Sequence, residues 1–294
     1  MCSPIPTWGF LKENEEMELL EADDYPRKVE RAINLLRNIP QDTEIELSYS
    51  GGKDSDVILE LAKMAGIPFR AIYKNTTIDP PGTIKHCKSK GVEIVHPKMS
   101  FLKLIEKKGM PTRRARFCCS ELKEYKILDR AIQGIRRSES AARAARYHEP
   151  EICRVYSAKE KVKVYLPILD WTDKDVERFI KERGIRCHPL YYDERGNFRV
   201  ERRLGCIGCP MQSDNGVVDF KKHPKLLKRV IKSINNYIAN HPDCGAKKKF
   251  LNVYGVVYHN LFCNSYDEFI TATTEGLFGD KLDPETEIKR YFKI

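Results

Sequence analysis

Up to about Val217 the chain alternates short apolar runs with amphipathic stretches, and beyond it no strand pattern follows. Tyr25 to Arg37 places Val29, Ala32, Ile33 and Leu36 at helical spacing. Ile45 to Leu47 predicts a first strand, and Asp56 to about Ala65 an amphipathic helix. Phe69 to Tyr73 reads as a second strand, stopped at Asn75–Pro81, where two prolines forbid a helix and fix a loop at the strand's carboxyl end. Thr83 to about Lys90 is a helix, Val92 to Val95 a third strand, and Ser100 the N-cap of a helix running to Lys108. Lys126 to Gln133 fits strand or helix by period; the Gly134 that follows favours a strand ending at a functional loop. Val162 to Leu166 alternates and pairs as a hairpin with Ile152 to Tyr156. Thr172 caps a helix carrying Val176, Phe179 and Ile180, which Gly184 stops. Alternating β and α elements with helices late predict the α/β class: an open parallel twisted sheet, Rossmann-like, with a helical C-terminal part. Residues 1–40 are then a helical lead-in, 41–215 the α/β domain and 216–294 the helical C-terminal region.

Composition narrows the setting. With 41% hydrophobic and 32% charged residues, the chain reads as a soluble globular protein. No apolar run is long enough to span a bilayer, and the first residues lack a signal-peptide core, so no membrane partner is expected. Ten cysteines without an export signal point to a reducing, cytoplasmic compartment and to metal or redox chemistry. A net charge of +10 favours polyanionic partners: nucleotides, sulfated or phosphorylated metabolites, or nucleic acid.

The candidate chemistry starts at Ser48-Tyr49-Ser50-Gly51-Gly52-Lys53-Asp54-Ser55. A strand, a glycine turn and a helix start present backbone N–H groups to an anion. Gly51 and Gly52 permit positive φ and let phosphate oxygens approach the main chain, Ser50 and Ser55 offer hydroxyls, and Lys53 adds a point charge. Asp54 holds a metal or caps the following helix. The spacing is not that of a Walker A loop.

Four cysteines form two tight pairs, Cys118-Cys119 and Cys206-Ile207-Gly208-Cys209, the second flanked by Gly205 and Pro210. Such a knuckle points thiolates and N–H groups at one centre. Adjacent cysteines diverge, which suits an iron–sulfur cube better than one tetrahedral zinc, though zinc stays open. Cys153 and Cys263 read instead as buried structural thiols. Arg113, Arg114, Arg116, Arg136, Arg137, Arg143 and Arg146 make two basic clusters around the first cysteine pair, suited to phosphate or sulfate, although Arg143 and Arg146 fit a solvated helix face as well.

Ser-Gly-Gly-Lys-Asp-Ser resembles the PP-loop of the ATP pyrophosphatase and PAPS reductase superfamily. The Cys-Cys pair followed by a distant Cys-x-x-Cys resembles the [4Fe–4S] motif of adenylyl-sulfate reductases and of DNA-phosphorothioation sulfurtransferases. Arg116 to Lys123, Gly134 to Ser140, Leu166 to Val176 and Pro189-Leu190-Tyr191 are similar to further segments of that family, so the likeness covers Ile45 to Met211. It implies an adenine-nucleotide alpha-hydrolase-like fold within 41–215. It also implies a nucleotide site of Ser48, Ser50, Gly51, Gly52, Lys53, Asp54, Ser55, Asp79, Gly134, Arg136 and Arg137, with Lys53, Asp54 and Arg136 catalytic. Cys118, Cys119, Cys206 and Cys209 would hold a [4Fe–4S] cluster.

Two departures shape the expected activity. The thiol-dependent reductases carry a C-terminal Glu-Cys-Gly-x-His tail, and this sequence has no cysteine after Cys263. Reductases also usually have a degraded PP-loop, whereas this one is intact and resembles that of enzymes cleaving ATP between the α and β phosphates. The expectation is an ATP pyrophosphatase or sulfurtransferase using ATP with Mg²⁺ and a cluster. Its co-substrate would be an oxyanion or a sulfur-containing molecule, with a nucleic acid acceptor (tRNA or DNA) and a sulfur-donor protein as further partners. The alternatives are a phosphoadenylyl- or adenylyl-sulfate reductase using an external thiol, and a non-catalytic regulatory or DNA-associated protein.

Overall fold

The computed structural model describes residues 24–157, 160–250, 252–274 and 281–294; much of the expected lead-in, with Cys2, lies outside these. Its described part begins with helix α1 (Asp24–Arg37), whose Tyr25, Ala32 and Leu36 are buried on one face. There follow β1 (Ile45–Tyr49), α2 (Lys53–Ala65), β2 (Arg70–Lys74), α3 (Thr83–Ser89), β3 (Glu93–Val95), α4 (Phe101–Lys108) and α5 (Phe117–Leu122). Next come β4 (Arg130–Ile132), α6 (Ala141–Arg146), β5 (Glu151–Ser157), β6 (Glu160–Tyr165) and α7 (Asp173–Glu182). The remaining helices are α8 (Val217–Lys222), α9 (Pro224–Asn240), α10 (Gly245–Lys249), α11 (Val253–Phe262), α12 (Tyr266–Thr274) and α13 (Pro284–Phe292).

The six strands form one sheet in the order β3-β2-β1-β4-β6-β5. β1 runs parallel to β2 and to β4, β4 runs parallel to β6, and β5 returns antiparallel to β6. The fold is therefore the α/β class read from the sequence, with the 152–156 and 162–166 segments as its antiparallel edge. β1 is buried along almost its whole length, as a strand covered on both faces must be. The chain moves outward from β1 to β2 and β3, then returns to β4 on the other side. This reversal makes the carboxyl ends of β1 and β4 the expected place for a ligand. β4 is shorter than the apolar period suggests; Lys126, at φ 47°, turns the backbone away before the strand can begin.

The described residues divide into two compact units. One comprises the chain up to Tyr73 with His86–Glu93 and Ile127–Arg203; the other comprises Lys74–Lys85, Ile94–Lys126 and Leu204–Ile294. In the first, Leu47, Ile58, Leu61 and Val164 are fully buried. In the second, Leu104 and Ile105 of α4 share a core with Leu227 and Ile234 of α9, Val257 of α11 and Ile288 of α13. Cys263 is buried, as expected of a structural thiol. Cys153 is exposed instead: it pairs with Lys163 across the edge hairpin, while its neighbour Ile152 packs on the core. Among the described residues no helix is long and apolar enough to cross a membrane.

Truncating the central strand should weaken the first unit. Leu47 is fully buried, so Leu47→Ala should cost about 2–5 kcal/mol through lost burial and the cavity left behind. Urea denaturation followed by circular dichroism should show the lower midpoint.

Candidate functional site

The segment after β1 is built to receive an anion. Gly51 sits at φ 81°, a conformation that other residues adopt with strain, and turns the chain between strand and helix. Gly52 is the N-cap of α2 and makes no side-chain cap, so the first N–H groups of the helix keep their donors. The Ser55 hydroxyl donates to the Gly52 carbonyl at 2.7 Å, and the Ser50 hydroxyl lies 3.3 Å from that of Ser55. The Ser50 hydroxyl also accepts the Gly52 N–H at 3.3 Å. Lys53 is only 4% exposed. Its ammonium lies 3.4 Å from the Arg202 carbonyl, 3.6 Å from the Asp54 carboxylate and 5.5 Å from the Tyr191 ring centre. Ser48 stands apart from these groups, inside β1, where its hydroxyl donates to Glu46 at 3.0 Å.

Arg136 and Gly134 reach the same loop from the end of β4. Arg136 is 1% exposed. It donates from Nε to Asp54 at 2.7 Å, from Nη2 to Asp173 at 2.7 Å and from Nη1 to the Ser138 hydroxyl at 2.9 Å. Its guanidinium thus ties the start of α2 to the start of α7, and its donors serve protein acceptors. A Cβ on Gly134 would stand 3.0 Å from the Asp54 carbonyl oxygen, so the glycine lets two backbones approach closely. Arg137 pairs with Asp170 at the surface. Glu139 pairs with both Arg143 and Arg203. Burial, and then the nearby Arg203 charge, lower the pKa of Arg143.

In the other unit, all four cysteines of the two pairs come together. Cys118 interacts electrostatically with Cys119, Cys206 and Cys209. Its thiol is pushed up, first by its hydrogen bond to Cys119 and then by burial. Cys119 is lowered to about 6, first by that same bond and then by the charges of Lys123 and Arg116, against the opposing effect of burial. Burial raises the Cys206 thiol, while Lys123 opposes the shift. Lys123 itself is held above the ordinary lysine range by Cys206 and Asp79, overcoming its desolvation. Asp79, expected at the nucleotide, lies beside this group: its carboxylate accepts the Thr76 N–H at 2.9 Å and is 3.7 Å from the Cys206 sulfur.

The second pair sits on a tight turn. Gly208 has φ 69°, and a Cβ there would fall 2.2 Å from the Phe220 ring. Among the described residues no three His, Cys, Asp or Glu side chains are arranged to hold a single metal ion. The donor set of four soft thiols suits a larger iron–sulfur body, which takes its ligands from separate corners.

Three contacts escaped the sequence reading. Arg202 and Tyr191 shelter Lys53 from far along the chain, a pairing that the Pro189–Tyr191 segment does not itself announce. Arg113, read as part of a basic cluster, binds the carbonyls of Pro210 and Gln212 and the Asn215 side chain, and so braces the turn that follows Cys209. A hydrogen-bonded group of Tyr49, Asp56 and His86 lies next to the loop, and its members come from three separate elements, so no local pattern hinted at it.

Comparison with known proteins places this geometry. An uncharacterized protein of Escherichia phage 186 is 34% identical over 158 residues, 48% of this chain and 45% of that protein. One from Methanocaldococcus jannaschii is 30% identical over 207 residues, 66% of this chain and 48% of that protein. Sulfate adenylyltransferase subunit 2 of Rhizobium johnstonii is 25% identical over 218 residues, 58% of this chain and 64% of that protein. The chain thus spans about half the length of the first two relatives and somewhat less than two thirds of the third. The family described as the phosphoadenosine phosphosulfate reductase domain matches residues 44–212, from the start of β1 through both cysteine pairs, and the chain belongs to that family.

Proposed function

We propose that the chain binds ATP with Mg²⁺ and cleaves it between the α and β phosphates, transferring the adenylyl group to an acceptor in sulfur chemistry. The observation that carries this reading is the intact loop after β1, with Gly51 at positive φ, an open N-terminus on α2, and Ser50, Lys53 and Ser55 gathered at it. A reductase substrate has no β,γ-pyrophosphate to occupy such a loop. The relationship to a sulfate adenylyltransferase subunit supports the same direction.

An acceptor oxygen attacks the α-phosphorus and forms the new P–O bond. The bond from the α-phosphorus to the bridging oxygen breaks, and that oxygen leaves with the electron pair as part of pyrophosphate. The loop N–H groups, the two serine hydroxyls and Lys53 stabilise the leaving charge, and a bound Mg²⁺ would supply further charge neutralisation there. Asp54, oriented by Arg136, would offer that ion a carboxylate. Arg136 acts through Asp54 and Asp173 as a positioning residue.

Cys118, Cys119, Cys206 and Cys209 hold a [4Fe–4S] cluster in this reading. Such a group supplies electron-transfer or sulfur-handling chemistry when bound. Lys123 offsets thiolate charge beside it, and Asp79 neighbours both. The acceptor is a small oxyanion or sulfur compound, or a nucleic acid drawn by the +10 charge, with a sulfur-donor protein as partner.

Nucleotide choice tests the first part. ATP should bind more tightly than AMP by calorimetry, and Lys53→Ala should erase most of the difference, a loss of roughly 1.5–3 kcal/mol for a charge-assisted phosphate contact. ATP–pyrophosphate exchange should be detectable and should vanish in that variant. Tighter binding of phosphoadenylyl or adenylyl sulfate, indifferent to Lys53, would favour the reductase.

Metal content tests the second part. Protein purified without oxygen should be brown and contain iron and sulfide, and Cys206→Ser or Cys209→Ser should bleach it. Colourless, active protein with stoichiometric zinc would refute the cluster.

A further inference from the structure

We propose that Tyr49, Asp56 and His86 form a buried positioning network that sets the shape of the Ser50–Ser55 loop and thereby its preference for a pyrophosphate over a single phosphate. The inference rests on the reading that this loop holds the β,γ-pyrophosphate of ATP. Tyr49 is the residue before Ser50, and Asp56 is the residue after Ser55. The Tyr49 hydroxyl donates to the Asp56 carboxylate at 2.5 Å, so one hydrogen bond closes a ring around the six loop residues. His86, from α3, brings Nε2 within 3.0 Å of the Tyr49 oxygen and within 3.1 and 3.2 Å of the two Asp56 oxygens. Because the tyrosine proton is given to Asp56, all three oxygens facing Nε2 are acceptors, which assigns the ring proton to that nitrogen.

The members are deeply buried: Tyr49 is 4% exposed, Asp56 2% and His86 8%. A carboxylate buried this far is costly to the fold unless its lone pairs are satisfied. Here they are met by the phenol, the imidazole and, at 3.6 Å, the Lys90 ammonium. The Cys187 thiol also bonds to Asp56. None of these side chains belongs to the loop, yet they hold both of its ends.

A pyrophosphate engages several donors at once, so its binding depends on the loop keeping one shape. AMP has no phosphate to place there. Loosening the ring should therefore weaken ATP binding and leave AMP binding almost untouched. General destabilisation would not change that ratio.

The test is calorimetric binding of α,β-methylene ATP and of AMP to the full chain, with thermal denaturation of each variant. Tyr49→Phe keeps the ring and removes the bridging hydroxyl; it should weaken the ATP analogue about tenfold, as loss of a hydrogen bond to a charged group does, while AMP changes less than about twofold. His86→Leu should behave alike, and His86→Gln, which keeps a donor, should recover most of the affinity. If Tyr49→Phe does not fold, the His86→Gln and His86→Leu pair decides by the same ratio. Folded Tyr49→Phe that binds the analogue like wild type, or that weakens both ligands equally, overturns the inference. Wild-type protein with no preference for the analogue over AMP overturns the pyrophosphate reading, and the inference with it. A preference abolished by Lys53→Ala and intact in Tyr49→Phe overturns the inference alone.

Discussion

The loop after β1 depends on one buried cation. Arg136 lies between Asp54 and Asp173 at 2.7 Å from each, and through them it fixes where α2 and α7 begin relative to the end of β4. A buried charge of this kind adds little net stability, since desolvation offsets much of its attraction. Its contribution is registry, because a planar fork with several donors admits few arrangements. Gly134, two residues earlier, allows the close approach that brings the fork within reach.

The two groups of functional side chains handle charge differently. At the loop after β1, positive potential comes mainly from the main chain and a helix start, and Lys53 is kept under cover by the Arg202 carbonyl and the Tyr191 ring. At the cysteines, potential comes from side chains: Lys123 and Arg116 favour the Cys119 thiolate, while burial opposes the charge on Cys206. Main-chain donors suit an anion that arrives and leaves. Soft thiols with a fixed counter-charge suit something that stays.

The sequence was most legible where chemistry is local. Strand, glycine turn and helix appear in contiguous residues, so the Ser50–Ser55 loop and the order of β1, α2 and β2 could be read directly. The hairpin of β5 and β6 was legible from alternation, as was the Thr172 cap. Distant partnerships were not. Arg136 looks like an anion ligand in sequence, and its carboxylate partners lie 82 and 37 positions away. Arg113 read as part of an anion-binding cluster because the carbonyls it binds lie about a hundred residues later. Cys153 looked apolar in context, but the two-residue period of its strand points it outward.

Each compact unit is assembled from stretches of chain that alternate with those of the other. During synthesis the unit that contains the loop cannot be completed until Arg203 has emerged, although the loop itself appears in its first stretch. The other unit waits longer, since Leu204–Ile294 carries most of its helices. Cys118 and Cys119 therefore wait while nearly ninety further residues are made before Cys206 and Cys209 can join them. No single cut in the chain separates one unit from the other. The order of translation, more than any boundary between domains, dictates when the cysteine group can come into being.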